Sequence, residues 1–353
     1  MNAIKDYMQH RFGIIGFGWV ARDYMYPAIL ASERADLVAA SSLGTNDLRS
    51  LPDSVGRYQD WQSMLQREEL DAIYVATPNY VHCEQTVKSL QRGLHVLCEK
   101  PMTTTAERAR LMIEVAANNE RTYATAFDQR FHPAHRLMRE WIAAGRLGIV
   151  TQVRTDYACW LDREWADSNW RIEAKKAGGG AIIDLAPHGL DLLEFLLQQR
   201  VSELAIYAQH AVQTYGVDDG GTLMVRFGDA VLGTMHVGYN RPETLPRRRL
   251  EIIGTRGRLL AQNTMGQTAG GTLTFTDAET GDEVPLSFDE RVSPFAQQLE
   301  HFMDTIEGKR TPERLPTDDV RLVQVLERAL RVANRRSRRF QTARKSPAPA
   351  GLL

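Results

Sequence analysis

The sequence predicts an α/β fold whose N-terminal third is a parallel sheet covered by helices, joined to a second domain of α+β type. Three observations predict it. A glycine-rich turn, Gly16-Phe17-Gly18-Trp19-Val20-Ala21, follows directly on a short apolar strand and opens a helix. Strand-like apolar runs then alternate with amphipathic runs, the pattern of βαβ units. After about Phe127 the runs lengthen and tight turn signals separate them, as in a large, mostly antiparallel open sheet.

Taken in order, Arg11–Ile15 is the first strand and Trp19–Ala31 the helix after the glycine turn, although Pro27 should disturb it. Asp36–Ser41 and Ala72–Ala76 are buried strands, the second stopping at Thr77-Pro78-Asn79. His95–Cys98 is another, ending at Glu99-Lys100-Pro101. Thr104 with Glu107 forms a capping box for a helix through Ala117. A helix from Pro133 to Ala144 leads into strands Val150–Tyr157, Gly221–Phe227, Val231–Tyr239 and Arg248–Ile253. A helix over Ala186–Leu197 lies among them, and helices near Phe295–Ile306 and Asp318–Ala333 close the chain. The expected division is a tail over residues 1–10, a Rossmann NAD(P)-binding domain over 11–128 and an α+β substrate-binding and oligomerisation domain over 129–333. A basic, disordered tail over 334–353 follows, because no acidic residue stands beyond Glu327.

The bulk composition narrows the function classes. A hydrophobic fraction of 43% supports an ordinary core, and a formal net charge of −1 opposes a surface built for nucleic acid. No apolar run reaches the ~20 residues of a membrane helix. Met1–His10 is short and polar, with no secretory h-region. Cys83, Cys98 and Cys159 share no CxxC spacing and read as reduced thiols, so a cytoplasmic protein is expected.

The glycine turn carries the cofactor signal. Gly16 permits a tight turn, Gly18 lets backbone approach a pyrophosphate, and Ala21 allows close helix–strand packing, while the helix N-terminus offers free N–H groups. The second strand normally ends in a carboxylate that binds the adenosine ribose. Here Ser41-Ser42-Leu43-Gly44 stands in its place, and a serine hydroxyl can donate to a 2′-phosphate. NADP is therefore expected over NAD, with Ser42 as the discriminating residue.

Two segments carry the chemistry. Cys98-Glu99-Lys100-Pro101 lies at a strand's carboxyl end, where parallel sheets present ligands. Gly178-Gly179-Gly180 leads to Asp184 and His188, four residues apart and on one face if helical, with Pro187 then confined to the first turn. Asp184, His188 and Asp191 invite a metal reading, but no third ligand of fitting spacing appears and no metal is expected.

At these residues the chain resembles the family of glucose–fructose oxidoreductase and inositol 2-dehydrogenase, Gfo/Idh/MocA. The resemblance rests on the glycine turn, on Thr77, Pro78, Asn79 and His82, on Glu99–Pro101, and on Trp170, Arg171, Gly178–Gly180, Asp184 and His188. It runs from about Arg11 to Ala333, and the stretch from Glu173 to His188 is similar to 1,5-anhydrofructose reductases. It implies hydride transfer between a nicotinamide and a sugar, keto-sugar or cyclitol. It also implies Lys100, Asp184 and His188 as catalytic residues. Gly16, Phe17, Gly18, Trp19, Val20, Ser42, Thr77, Pro78, Asn79, His82, Glu99, Lys100, Trp170 and Arg171 would hold the cofactor. Asp184 would orient His188 and the substrate. Two other readings stay open: an NAD-dependent glycosidase on the same fold, with no net redox, and a non-catalytic cofactor sensor. The open face of the antiparallel sheet should form a homodimer or homotetramer.

Overall fold

The computed structural model describes residues 8–44, 47–162 and 169–345, with 336–345 described by backbone only. Six parallel strands form the first sheet: β1 (His10–Ile15), β2 (Ala35–Ser41), β3 (Gly56–Tyr58), β4 (Ala72–Val75), β5 (His95–Glu99) and β6 (Tyr123–Ala126). Their order, β3-β2-β1-β4-β5-β6, reverses direction between β1 and β4, and the carboxyl ends on either side of that point border a crevice. The helices between them are α1 (Tyr26–Ala31), α2 (Trp61–Arg67), α3 (His82–Gln91) and α4 (Ala106–Asn118).

The helix after the glycine turn spans 19–31 with the disturbance expected at Pro27, while the reading of the α4 cap is corrected. The helix after the glycine turn is π-helical over Ala21–Met25, where the Tyr26 N–H reaches back to the Ala21 carbonyl. Pro27 has no N–H to return, so the turn before it widens. The cap of α4 is Thr105, whose side chain accepts from the Arg108 N–H at 3.4 Å, and not Thr104.

The second sheet has eight strands in the order β14-β13-β12-β11-β7-β10-β9-β8. They are β7 (Val150–Ala158), β8 (Val201–Gln209), β9 (Gly220–Phe227), β10 (Val231–Gly238), β11 (Arg248–Gly254), β12 (Gly257–Gln262), β13 (Thr272–Asp277) and β14 (Glu283–Pro285). Only β7 and β10 run parallel; every other neighbouring pair is antiparallel. After α5 (Pro133–Ala143), the short α6 (Ala174–Ala177) precedes α7 (Ala181–Leu197), which packs on one face of this sheet. Because α7 is apolar on nearly every side, it lies inside the domain rather than on it.

The start of α7 differs from expectation. The helix begins at Ala181, five residues early, which puts Pro187 in its second turn. Asp218 makes the early start possible: its carboxylate accepts from the Gly180 and Ile182 N–H groups at 2.9 and 2.8 Å, and its carbonyl from Ala181 at 3.1 Å. Gly180 has to be glycine, since a Cβ there would stand 1.9 Å from the Asp218 carbonyl oxygen.

The last two helices amend the domain division. In α8 (Pro294–Ile306), Phe295, Leu299, Phe302 and Met303 belong to the core around β1 and α1, so this segment covers the first sheet. Helix α9 (Pro316–Lys345) is shared. Val320 packs into the core beneath β4 and β5, while Leu322, Leu326, Ala329 and Ala333 join the core of the second domain. Its backbone continues to Lys345, so residues 334–345 are helical; arginine is a good helix former, and the predicted disorder undervalued that propensity. Among the described residues no helix is long and apolar enough to cross a membrane.

Candidate active site

The glycine turn closes between β1 and β2. Gly16 has φ +93°, and a Cβ there would meet the Ala76 carbonyl oxygen at 2.8 Å, so only glycine serves. The Gly16 and Phe17 N–H groups both donate to the Ser41 carbonyl at 2.9 Å. A Cβ on Gly18, by contrast, would meet no heavy atom within 4 Å, which leaves the open space a pyrophosphate needs. Phe17 turns its ring into the core, edge-on to Tyr26 at 5.8 Å, so only its backbone is free to meet a cofactor. Trp19 and Val20 face the cleft.

Ser42 stands at the end of β2 as expected, but a carboxylate accompanies it. The Ser42 hydroxyl donates to Asp47 at 3.3 Å and accepts from the Gly44 N–H, while Arg22 approaches Asp47 at 3.8 Å. Asp47 escaped sequence reading because it returns to the strand end from a separate 3₁₀ turn, Asp47–Ser50.

The turn after β4 forms the facing wall. Thr77 and Asn79 line the cleft, and the Asn79 amide donates to the Ala177 carbonyl at 3.0 Å, tying this turn to the glycine run before α7. Pro78 and His82 do not line it. His82 is buried behind the wall, its ring nitrogens 2.7 Å from the Thr77 carbonyl and 3.0 Å from that of Pro101. Burial holds its pKa below the ordinary histidine value against the pull of the two carbonyls, and a neutral ring donates to only one of them, so His82 is a buried post between the two loops.

At the carboxyl end of β5, Glu99 is partly buried. It accepts from the Tyr74 hydroxyl at 2.5 Å and the Lys100 N–H at 3.2 Å, and burial pushes its pKa up. The Lys100 ammonium crosses to α7, donating to Asp184 Oδ1 at 2.8 Å and to the Asp184 carbonyl at 3.0 Å. The other carboxylate oxygen of Asp184 accepts from the Tyr239 hydroxyl at 2.7 Å and lies 3.5 Å from Arg171 Nε. Burial alone would raise Asp184, but Lys100 and Arg171 overcome it and hold the carboxylate well below its usual range. Arg171 stacks on Trp170 at 4.6 Å, and both line the cleft.

One expectation fails at His188. Both Asp184 oxygens are taken by other donors, and neither meets the imidazole. The carboxylate facing His188 is that of Asp128, with Oδ1 3.8 Å from Nδ1. Tyr157 packs edge-on to the ring at 5.4 Å. Asp191, the third member of the discarded metal reading, is bound in bidentate fashion by Arg130, at 2.7 Å for each contact.

Gly18, Trp19, Val20, Thr77, Asn79, Glu99, Lys100, Trp170, Arg171, Asp184 and His188 border one cavity of about 510 Å³ between the two sheets, together with Tyr24, Asp128, Tyr157, Tyr239 and Arg248, whereas Gly16, Phe17, Ser42, Pro78 and His82 lie outside its lining. A second cavity of about 530 Å³ lies beside α5 and α8, lined by residues such as Arg136, Phe288 and His301, and holds none of the groups above. Chemistry, not volume, selects the first. Asp128 was legible in principle, since it follows β6 at the carboxyl edge where parallel sheets place functional groups. Tyr239 and Arg248 gave no local signal, because the pairing of β7, β10 and β11 brings them in.

A family model described as an oxidoreductase family with an NAD-binding Rossmann fold matches residues 10–127. One described as the GFO/IDH/MocA C-terminal domain matches residues 135–260. The chain is similar to 1,5-anhydro-D-fructose reductase of Ensifer adhaerens, 32% identical over 315 residues, which cover 88% of this chain and 92% of that one. It is also similar to D-xylose 1-dehydrogenase (NADP(+)) 2 of Haloferax volcanii, 26% identical over 90% of this chain and 95% of that one. An aldose-aldose oxidoreductase from Caulobacter crescentus shares the fold, with a TM-score of 0.83 at 22% identity over 93% of this chain and 98% of that one.

Proposed function

This chain belongs to the Gfo/Idh/MocA oxidoreductase family, and from that premise we propose that it is a cytoplasmic, NADP-preferring enzyme that reversibly reduces a ketose or aldehyde-like sugar. As a member it is an NAD(P)-dependent oxidoreductase of sugars and cyclitols. The observation that carries the finer reading is the meeting of Lys100, Asp184 and His188 in the cleft below Gly18.

The residues present fit the cofactor: Gly16 supplies the turn, Gly18 the open approach, and Thr77, Asn79, Glu99 and Trp19 the walls. When bound, the nicotinamide supplies or accepts a hydride. Lys100 holds a positive charge where an alkoxide develops, and Asp184 fixes the ammonium while Tyr239 and Arg171 fix Asp184. His188 exchanges the proton on the reacting oxygen. A panel of sugars and polyols with NADPH, NADP⁺, NADH and NAD⁺, followed by nicotinamide absorbance, tests the reading. It fails if no member of the panel produces net absorbance change.

The preference for NADP is argued from Ser42 at the end of β2 and from Arg22, which reaches towards that end from the helix after the glycine turn. Ser42→Asp adds a second carboxylate beside Asp47, and is expected to raise the Kd for NADPH about tenfold or more, roughly 1.4 kcal/mol. The Kd for NADH should hold or fall. Fluorescence titration of both cofactors reads this, and a wild type that binds NADH at least as tightly as NADPH defeats it.

The open face of the second sheet supports a homo-oligomer. Tyr207, Met224 and Leu232 lie on three adjoining strands, each more than half exposed at 57%, 56% and 51%. Light scattering is expected to report a dimer or tetramer, and Met224→Glu to shift it towards monomer. An unchanged mass for that variant places the contact elsewhere.

A further inference from the structure

We infer that Asp128 is a further residue of the proton-transfer machinery: it is the acid that serves His188 from behind, in the place expected for Asp184. The inference rests on the proposed reductase reading and extends it.

Four observations carry it. His188 is buried, and its Nδ1 has no hydrogen-bond partner among the described residues, which is costly for a polar atom inside a protein. The carboxyl facing that nitrogen is Asp128, at 3.8 Å, too long for a hydrogen bond but within reach of a small side-chain rotation. Asp184 is spent on Lys100, Tyr239 and Arg171. Finally, Asp128 and His188 both line the cavity that holds Lys100.

The charged and titratable surroundings of Asp128 come from every wall. Glu99 and Lys100 face it from the end of β5, His188 from α7, Tyr157 from β7, Tyr74 from β4 and Tyr24 from the helix after the glycine turn, with Arg248 of β11 set against Tyr157 and His188. Burial and then Glu99 push Asp128 up to about 8 against the pull of Lys100. Burial and then Lys100 drive His188 well below its ordinary value. At neutral pH the pair therefore holds a carboxylic acid and a neutral imidazole, not an ion pair.

That protonation state defines the step. The carboxyl O–H of Asp128 donates to Nδ1, which fixes the proton of the imidazole on Nε2, the nitrogen left for the substrate. As the carbonyl carbon receives hydride from the reduced nicotinamide cofactor, the carbonyl oxygen takes the Nε2 proton. Nδ1 then takes the proton of Asp128. The products are an alcohol, oxidised cofactor, a neutral imidazole now protonated on Nδ1, and an Asp128 carboxylate; a solvent proton then enters at Nε2 as Nδ1 returns its own to Asp128, which restores the starting pair. No imidazolium has to persist beside Lys100 and Arg248. Oxidation runs the sequence backwards and needs the carboxylate.

Two measurements test it, one of them independent of turnover. Infrared difference spectra of the wild-type protein between pH 6 and 10 are expected to show a buried carboxylic-acid C=O band lost near pH 8 and missing in Asp128→Asn. Absence of that band in the wild type, or its persistence in the variant, overturns the inference whatever the substrate. The second uses 1,5-anhydro-D-fructose with NADPH, or whichever panel sugar is turned over. Wild-type reduction should fall as pH rises through about 8, and oxidation should rise. Asp128→Asn should lower kcat roughly 10- to 100-fold, change KM little, and abolish that pH limb. A variant with wild-type kcat and pH limb, or one altered only in KM, overturns it. A wild type inactive on the whole panel, but with the band present, indicts the reductase reading instead.

Discussion

Lys100→Ala is expected to lower turnover by at least ~100-fold while leaving cofactor affinity within about threefold, the scale for loss of a positioned polar group in the reacting shell. The ammonium makes two hydrogen bonds to Asp184 and is nearly buried, while Arg171 is engaged at the other carboxylate oxygen. Arg171 and Tyr239 still hold the far oxygen of Asp184, which keeps the start of α7 in place and makes the loss one of chemistry rather than of fold. Cofactor phosphates are assigned to the glycine turn, at a distance in sequence and on another wall. His188→Ala should also cut turnover, and should raise KM where the imidazole touches a substrate hydroxyl. Steady-state kinetics with a parallel binding titration decide it. Near-normal turnover in both variants would move the active site elsewhere.

The largest stability effect is expected at Asp191. This carboxylate is fully buried on α7, chelated by Arg130 at 2.7 Å and approached by Arg314 at 3.3 Å. Arg314 in turn bonds Glu194 at 2.9 Å and Asp319 at 2.5 Å, so α7 and α9 share one buried ionic cluster. Asp191→Ala strips two buried guanidinium groups of a common partner, and about 3–5 kcal/mol of stability should go with it. Asp191→Asn keeps the volume and some hydrogen bonding, and should cost less. Urea unfolding followed by tryptophan fluorescence measures both. A shift for the alanine variant within about 0.5 kcal/mol would mean that the cluster contributes nothing net.

Much of this was legible in the sequence because it is written in local rules. The glycine turn, the strand ends at Thr77 and Glu99, and the start of the helix at Pro133 each depend on a few neighbouring residues. What escaped reading depends on distant ones. The early start of α7 needs Asp218, whose carboxylate caps a helix that begins 37 residues before it in the chain, at Ala181. The partner of His188 could not be guessed from helical spacing, since Lys100 arrives from the other domain and takes the carboxylate one turn away. Asp47 was hidden by the loop that returns it to Ser42. The second sheet was correctly read as mostly antiparallel, yet its one parallel contact, between β7 and β10, is a choice of topology that no residue pattern announces.

Helix α9 has a mechanical consequence. With Val320 and Val323 against one core and Leu322, Leu326 and Ala329 in the other, it works as a splint across both lobes. Swinging the lobes apart about Phe127–Asp128 would pull one row of these side chains into water, at about 1.5–3 kcal/mol for each large one. The Glu327 carboxylate, which accepts from the Ala106 N–H at 3.1 Å, would be torn away as well. Opening of the cleft about Phe127–Asp128 is therefore opposed by side chains on both rows of the same helix, so α9 favours the arrangement in which Lys100 meets Asp184.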